Sequence, residues 1–367
     1  MVGGPSAQTQ NRFAIFCYIN RIDVLVRIYP DPVAQIMMAN GSTIESSRIA
    51  VVGCGAIGQF YAAQLSLAGH ELRLLARRDA PSIAARGIVV HQTPTPKVKS
   101  SLSQPLVHVA PQQLVVATSP EQLIDDHELD WVFVALKTTA LPQARALVAP
   151  LLGKETRIAV MCNGLGVEDH FAGWFGPARV FGLICFVGVN RDDDGTIRHI
   201  AFGHVSVGHF QDNEQERQRL QRLLEGAGIE CECPESLLEA RWRKLGWNLP
   251  YNGLCLLYDC TTDNVVTDPE RRAFALELSR ESILIGNLDL AAHGIALRIE
   301  DAWAKLQLSR TDSMGAYAPS TLLDARAGRA LELDMMFLEP ARRAARLGAP
   351  APALAGLIEG LRQRGLV

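Results

Sequence analysis

The sequence predicts two domains, an α/β domain followed by an all-helical one, and three observations carry that prediction. A short apolar run at 49–52 breaks at a cluster of glycines and passes directly into a helical pattern at 56–68. The same strand–helix rhythm then repeats to about residue 210. After Pro234 the character changes, and nearly every remaining stretch has helical periodicity. A length of 367 residues also exceeds what one core usually encloses.

The glycine cluster is the most informative stretch. Gly53, Gly55 and Gly58 have the spacing G-x-G-x-x-G. The first allows a tight strand-to-helix turn, the second lets a pyrophosphate approach the backbone, and the third lets the helix lie close to the strand. The helix N-terminus then aims its free N–H groups at the phosphates. Alone the motif is weak. Here it follows a strand, opens a helix and precedes a second strand at 71–76. Gly53, Cys54, Gly55, Ala56, Ile57 and Gly58 are therefore assigned to a dinucleotide, and the domain to the Rossmann type. An NAD site would place an acid at the end of the second strand to hold the ribose 2′-OH. Arg77 and Arg78 stand there instead and suit a 2′-phosphate, so NADP (NADPH) is expected. Asp79 directly after them is a counter-signal, and a solvated loop is the alternative for both arginines.

Further strands are expected at 87–91, 130–136, 157–162 and 179–189, with a helix at 141–152. Residues 198–210 read as a hairpin closing the domain, and 212–225 as a polar surface helix. Ligands of such sheets sit at the carboxyl ends of the strands. Gly53, Arg77, Lys137 and Asn163 each fall at such an end and should converge.

Composition excludes several classes. Lys plus Arg number 36 against 39 Asp plus Glu, and no basic stripe occurs, which argues against a nucleic-acid partner. Eight scattered cysteines, several in apolar runs, suggest free thiols in a reducing, cytoplasmic setting. Cys231 and Cys233 have no second pair or nearby His, so no metal site is expected. Residues 1–47 read as a disordered extension. The apolar stretch 13–29 carries Asn20, Arg21, Asp23 and Arg27, so no membrane span is expected. Translation is expected to start downstream, at Met37 or Met38, because the first structural signal is Arg48; the mass of the native N-terminus decides this.

The boundaries follow: a Rossmann-type domain at 48–235 and a helical substrate domain at 236–367. Helices are expected at 237–247, 270–293, 299–306, 331–347 and 353–364. Lys244, Asn248 and Asn252 are four apart and share one helix face. A cation with two amides suits the oxygens of a 2-oxo acid, whereas a solvated face is the plainer alternative. Trp242, Leu245, Trp247 and Leu249 supply apolar surface around the row. Glu332 opens a long helix, where the dipole favours a carboxylate.

These residues resemble the ketopantoate reductase (2-dehydropantoate 2-reductase) family from Arg48 to near the C-terminus. The resemblance rests on five motifs: the glycine fingerprint ending in Gln59; Ala135, Leu136, Lys137 and Thr138; Asn163 to Gly166; Trp242 to Leu245 with Asn248 and Asn252; and Ser320, Asp324, Gly328, Glu332 and Asp334. It implies Lys244 as proton donor and Asn163, Asn248, Asn252 and Ser320 as substrate ligands. It also implies that Lys137, Asn163 and Glu332 contact the cofactor. Pro250 between the two asparagines, Gly253, and Ala330 with Leu331 depart from the family pattern. A further substrate asparagine has no clear counterpart, with Thr262 and Asn264 as candidates. The expected activity is NADPH-dependent reduction of 2-dehydropantoate in pantothenate synthesis. The alternatives are reduction of another 2-oxo acid, or NADP binding without turnover. The partner is a small molecule, and a homodimer is left open.

Overall fold

The computed structural model of the protein describes residues 46–93 and 105–367. The extension and the alternative start therefore lie outside the described residues, except for Ser46 and Ser47. Ser46 Oγ donates to the Gly69 carbonyl at 2.8 Å and Ser47 N–H to His70 Nδ1 at 3.1 Å.

The first part runs β1 (Arg48–Val52), α1 (Ala56–Leu67), β2 (Glu71–Leu75), α2 (Ala80–Arg86), β3 (Ile88–Gln92), β4 (Leu106–Val109) and β5 (Leu114–Ala117). It continues with β6 (Trp131–Val134), α3 (Leu141–Val148), β7 (Arg157–Val160), α4 (Val167–Phe175), β8 (Val180–Arg191), β9 (Ile197–His209), α5 (Glu214–Gly226) and β10 (Cys231–Glu232). The strands form one sheet in the order β4-β3-β9-β8-β7-β6-β1-β2-β5, with β10 beside β9. The run β8-β7-β6-β1-β2-β5 is parallel throughout. Alternate residues of β1 serve opposite faces: Ile49 and Val51 join one apolar layer, Ala50 and Val52 the other. Burial on both faces is why these strands read as unbroken apolar runs.

Residues 198–210 are not a hairpin. They form most of the single strand β9, which pairs antiparallel with β8 along its whole length. The alternation of small and large residues mimicked two short arms, but the turn lies earlier, between Arg191 and Ile197. Strands β4 and β5 were not expected either; each has four residues and sits at an edge of the sheet, where the apolar signal is shortest.

The second part contains α6 (Leu237–Tyr258), α7 (Thr262–Thr267), α8 (Pro269–Ala292), α9 (Ala302–Asp312), α10 (Ser320–Arg326), a π-helical turn at Asp334–Leu338, α11 (Glu339–Leu347) and α12 (Pro352–Gln363). Trp242, Leu245 and Leu249 of α6, Leu278 and Ile285 of α8, Phe337 and Leu357 share its core. Helix α6 continues past Pro250 to Tyr258. A proline there lacks the N–H that would bond the Gly246 carbonyl four residues back. Ser279 on α8 fills the vacancy, its Oγ donating to that carbonyl at 2.8 Å in a buried setting. Ser279→Ala is therefore expected to destabilise the protein by about 1–3 kcal/mol, the penalty for a buried unpaired acceptor. Urea unfolding of this variant and of Pro250→Ala/Ser279→Ala checks it; the second variant should recover much of the loss by restoring the backbone donor.

Candidate active site

The sheet order brings β7, β6, β1 and β2 side by side, so the residues after their carboxyl ends form a row: Asn163, Lys137, Gly53 and Arg77. At β1 the turn is built by its glycines. Gly53 has φ of +99°, and a Cβ there would stand 2.9 Å from the Ala135 carbonyl carbon. A Cβ on Gly58 would overlap the Gly53 carbonyl oxygen. By contrast, beyond its own chain neighbours no described atom lies within 4 Å of a Cβ position on Gly55. Two glycines thus fit the chain to itself, and the third faces open space. The first turn of α1 begins there, with Cys54 buried and the N–H groups of Ala56, Ile57 and Gly58 unbonded within the helix. This arrangement fits a pyrophosphate.

Arg77 lies exposed after β2. Asp79, the counter-signal, is engaged in an ion pair with Arg191 and stands 3.7 Å from Arg78 Nε. At β6, Lys137 Nζ donates to Asp324 Oδ2 at 2.5 Å, and Thr138 N–H donates to Glu332 Oε1 at 2.7 Å. Arg329 Nε holds the other oxygen of Asp324 at 2.8 Å. Burial pushes the Glu332 carboxyl above its ordinary range, while the Thr138 N–H and the Lys137 ammonium oppose that shift. The loop after β7 is pressed against the π-helical turn: Gly164 has φ of +95°, a Cβ on it would stand 2.6 Å from Met335 Cβ, and Leu165 N–H donates to the Met335 carbonyl at 2.9 Å.

Helix α6 faces this edge. Lys244 Nζ donates to Asn163 Oδ1 and to the Cys185 carbonyl, each at 2.8 Å, and lies 5.4 Å from the centre of the Phe186 ring. Desolvation pushes its ammonium down to about 8; the Arg241 guanidinium adds to that effect and the Glu332 carboxylate opposes it. One turn on, Asn248 is buried and accepts from Asn252 Nδ2 at 3.3 Å. Asn252 Oδ1 in turn accepts from Thr321 Oγ1 at 2.9 Å. Ser320, the residue before Thr321, is exposed at the start of α10. Thr262 uses its hydroxyl on the Gly315 carbonyl at 2.8 Å, and Asn264 bonds Asp263 at 3.0 Å, so both serve the fold around α7.

The structure thus brings together Lys244 with Asn163, Asn248 with Asn252, and Lys137 and Thr138 with Asp324 and Glu332. Sequence reasoning missed Thr321, Phe186, the Cys185 carbonyl and Arg241. Of these only Arg241 left a signal, as a second cation on the face that carries Lys244. Among the described residues no helix is long and apolar enough to cross a membrane.

A glycine turn between β1 and α1 of a parallel sheet, followed by a helical second part, has the build of a two-domain nicotinamide-dependent oxidoreductase. The family model described as ketopantoate reductase PanE/ApbA matches residues 49–212, and its C-terminal counterpart matches 236–365. The chain belongs to the ketopantoate reductase family. It is 29% identical over 313 residues to the 2-dehydropantoate 2-reductase of Nostoc sp., an alignment covering 84% of this chain and 92% of the relative. The crystal structure of the 2-dehydropantoate 2-reductase from Geobacter metallireducens superposes with a TM-score of 0.78 at 32% identity, covering 86% of this chain and 99% of that one. A D-mandelate dehydrogenase solved with NADH and anilino(oxo)acetate shares the fold at 18% identity, with a TM-score of 0.72 and coverage of 86% and 97%.

Proposed function

We propose that the protein reduces 2-dehydropantoate to pantoate with NADPH, the reductive step of pantothenate synthesis, in the cytoplasm. Residues 48–235 serve as the cofactor domain and 236–367 as the substrate domain. The observation that carries this reading is the Lys244 ammonium, held by Asn163 Oδ1 and the Cys185 carbonyl beside the carboxyl edge of the sheet. NADPH, which the glycine turn and the residues after β2, β6 and β7 would hold, would supply the hydride for C2 of the substrate. Negative charge then grows on the carbonyl oxygen. Lys244 neutralises it and donates the proton that makes the hydroxyl. Asn248, Asn252 and Ser320 orient the carboxylate and hydroxyl ends, so that C2 meets the cofactor in one pose. Phe186 and the surrounding apolar side chains limit water around the ammonium, which strengthens its field at the oxygen. Rescue of a bacterial strain lacking its own ketopantoate reductase, on medium without pantothenate, tests the activity; no growth despite soluble protein contradicts it.

Arg77 is assigned to the 2′-phosphate, with Gly53 to Gly58, Lys137, Asn163 and Glu332 completing the cofactor contacts. The engagement of Asp79 by Arg191 supports this assignment, because that carboxylate is then less free to accept from a ribose hydroxyl. Arg77→Ala is expected to weaken NADPH binding by about 1.5–3 kcal/mol while leaving NADH nearly unaffected. Fluorescence titration with both nucleotides checks it. An unchanged preference for NADPH moves the role to Arg78.

A further inference from the structure

We infer that Arg241 is a positioning residue for the reaction: it locks the loop carrying Asn163 onto the helix carrying Lys244. The inference rests on Lys244 being the proton donor.

Arg241 precedes Lys244 by three residues on α6, which places it one turn away on the same side. Its side chain is 3% exposed, and that of its partner Glu168 is 5% exposed. Nε donates to Glu168 Oε1 at 2.9 Å, and a second guanidinium nitrogen bonds the same oxygen. The other terminal nitrogen donates to the Cys162 carbonyl at 2.9 Å, and a longer contact of 3.4 Å reaches the Val160 carbonyl. Cys162 immediately precedes Asn163, the residue that accepts from Lys244. One guanidinium therefore holds the end of β7 and the first turn of α4, the two ends of the loop 163–166. On β8 the chain has Gly182, where a Cβ would stand 2.7 Å from Glu168 Oε1, so the strand leaves room for the pair. A parallel tie runs beside it. Asp169 accepts from Arg343 at 2.6 Å, Arg343 donates to Asp289 at 2.7 Å, and Asp289 accepts from Trp242 Nε1 at 2.9 Å. Adjacent acids on α4 are thus bound to adjacent residues of α6, one directly and one through Arg343 and Asp289.

A buried ion pair gives little net stability compared with well-packed apolar side chains, so stability alone does not account for it. What it provides is a fixed distance between Lys244 and Asn163. It also places a guanidinium near the ammonium. The charged and titratable groups around Lys244 are Arg241 on its own helix, Cys185 on β8, Glu332 before the π-helical turn, and His204 on β9, stacked on Phe186. Of these Arg241 is the one whose cation disfavours a protonated Lys244.

Two variants separate geometry from charge. Arg241→Lys keeps the cation but cannot reproduce the fork to Glu168 and the carbonyls. Arg241→Met/Glu168→Met removes both charges and leaves no ion buried alone, so it avoids the cost of an unpaired buried charge. Both are expected to lose roughly 10- to 100-fold in kcat, the scale of a misplaced catalytic group. The alkaline limb of the pH–rate profile should persist in both variants, because Lys244 remains the donor. Wild-type kcat in both variants overturns the inference. So does a loss of kcat matched by an equal loss of NADPH affinity and of folding stability, which marks a purely structural pair. Lys244→Ala is the control: an alkaline limb that survives in it refutes Lys244 as donor, whereas a limb that disappears there while both Arg241 variants keep wild-type kcat refutes Arg241 alone.

Discussion

Lys244→Ala should lower kcat by a factor on the order of 10²–10⁴, the usual contribution of a positioned general acid. The ammonium lies 2.8 Å from Asn163 Oδ1 and from the Cys185 carbonyl, two acceptors that leave one N–H for the substrate oxygen. Burial pushes its pKa down to about 8, and the sign of the resulting pH dependence follows. Only the protonated lysine can donate, so activity is retained below that pKa and lost as pH rises through it. The profile of kcat/KM, which reports the free protein, should therefore fall on its alkaline side near 8. A bound substrate brings its own carboxylate and favours the charged lysine, so the limb in kcat should lie at higher pH. Binding of NADPH should change little in the variant, because its main contacts are assigned to the sheet edge. Steady-state rates across the pH range, with a parallel nucleotide titration, check all three points. Near wild-type kcat in Lys244→Ala would remove both the mechanism and the role given to this helix.

Trp242→Ala should be among the most destabilising single changes, at about 3–5 kcal/mol. The indole is fully buried in the helical core, and Gly286 on α8 approaches it so closely that a Cβ there would stand 2.9 Å from its ring. Its Nε1–H also satisfies Asp289, which holds the buried Arg343. Truncation therefore opens a cavity and removes one donor from a buried carboxylate in a single step. Urea unfolding followed by circular dichroism measures the loss; a change below about 1 kcal/mol would mean that α6 and α8 collapse into the space. Because Trp242 is two residues from Lys244, the same variant should raise the temperature sensitivity of turnover.

Much of this was legible in the sequence, and the reason differs by element. The glycine turn, β1, β2, β6 and β7 were readable because strands buried on both faces concentrate apolar residues, and the turn needs glycine at fixed offsets. That Lys244, Asn248 and Asn252 share one helix face was readable because a helix repeats its face every three to four residues. Strands β4 and β5 were not, since four-residue edge strands carry too few buried positions to show a period. The continuation of α6 past Pro250 was hidden for another reason. It depends on Ser279, which lies on α8 and is distant in sequence. The acceptors of Lys244 divide the same way. Asn163 showed through its motif, while the Cys185 carbonyl is backbone and depends only on where β8 lies. Arg241 and Glu168 lie 73 residues apart, and nothing local to either signals the other.

The most direct test of the central claim is a comparison of kcat/KM for 2-dehydropantoate and a panel of other 2-oxo acids at saturating NADPH, following loss of reduced nicotinamide and identifying the product. The highest kcat/KM is expected for 2-dehydropantoate, with pantoate as product. A higher kcat/KM for another 2-oxo acid, or no NADPH oxidation with any of them, would contradict it.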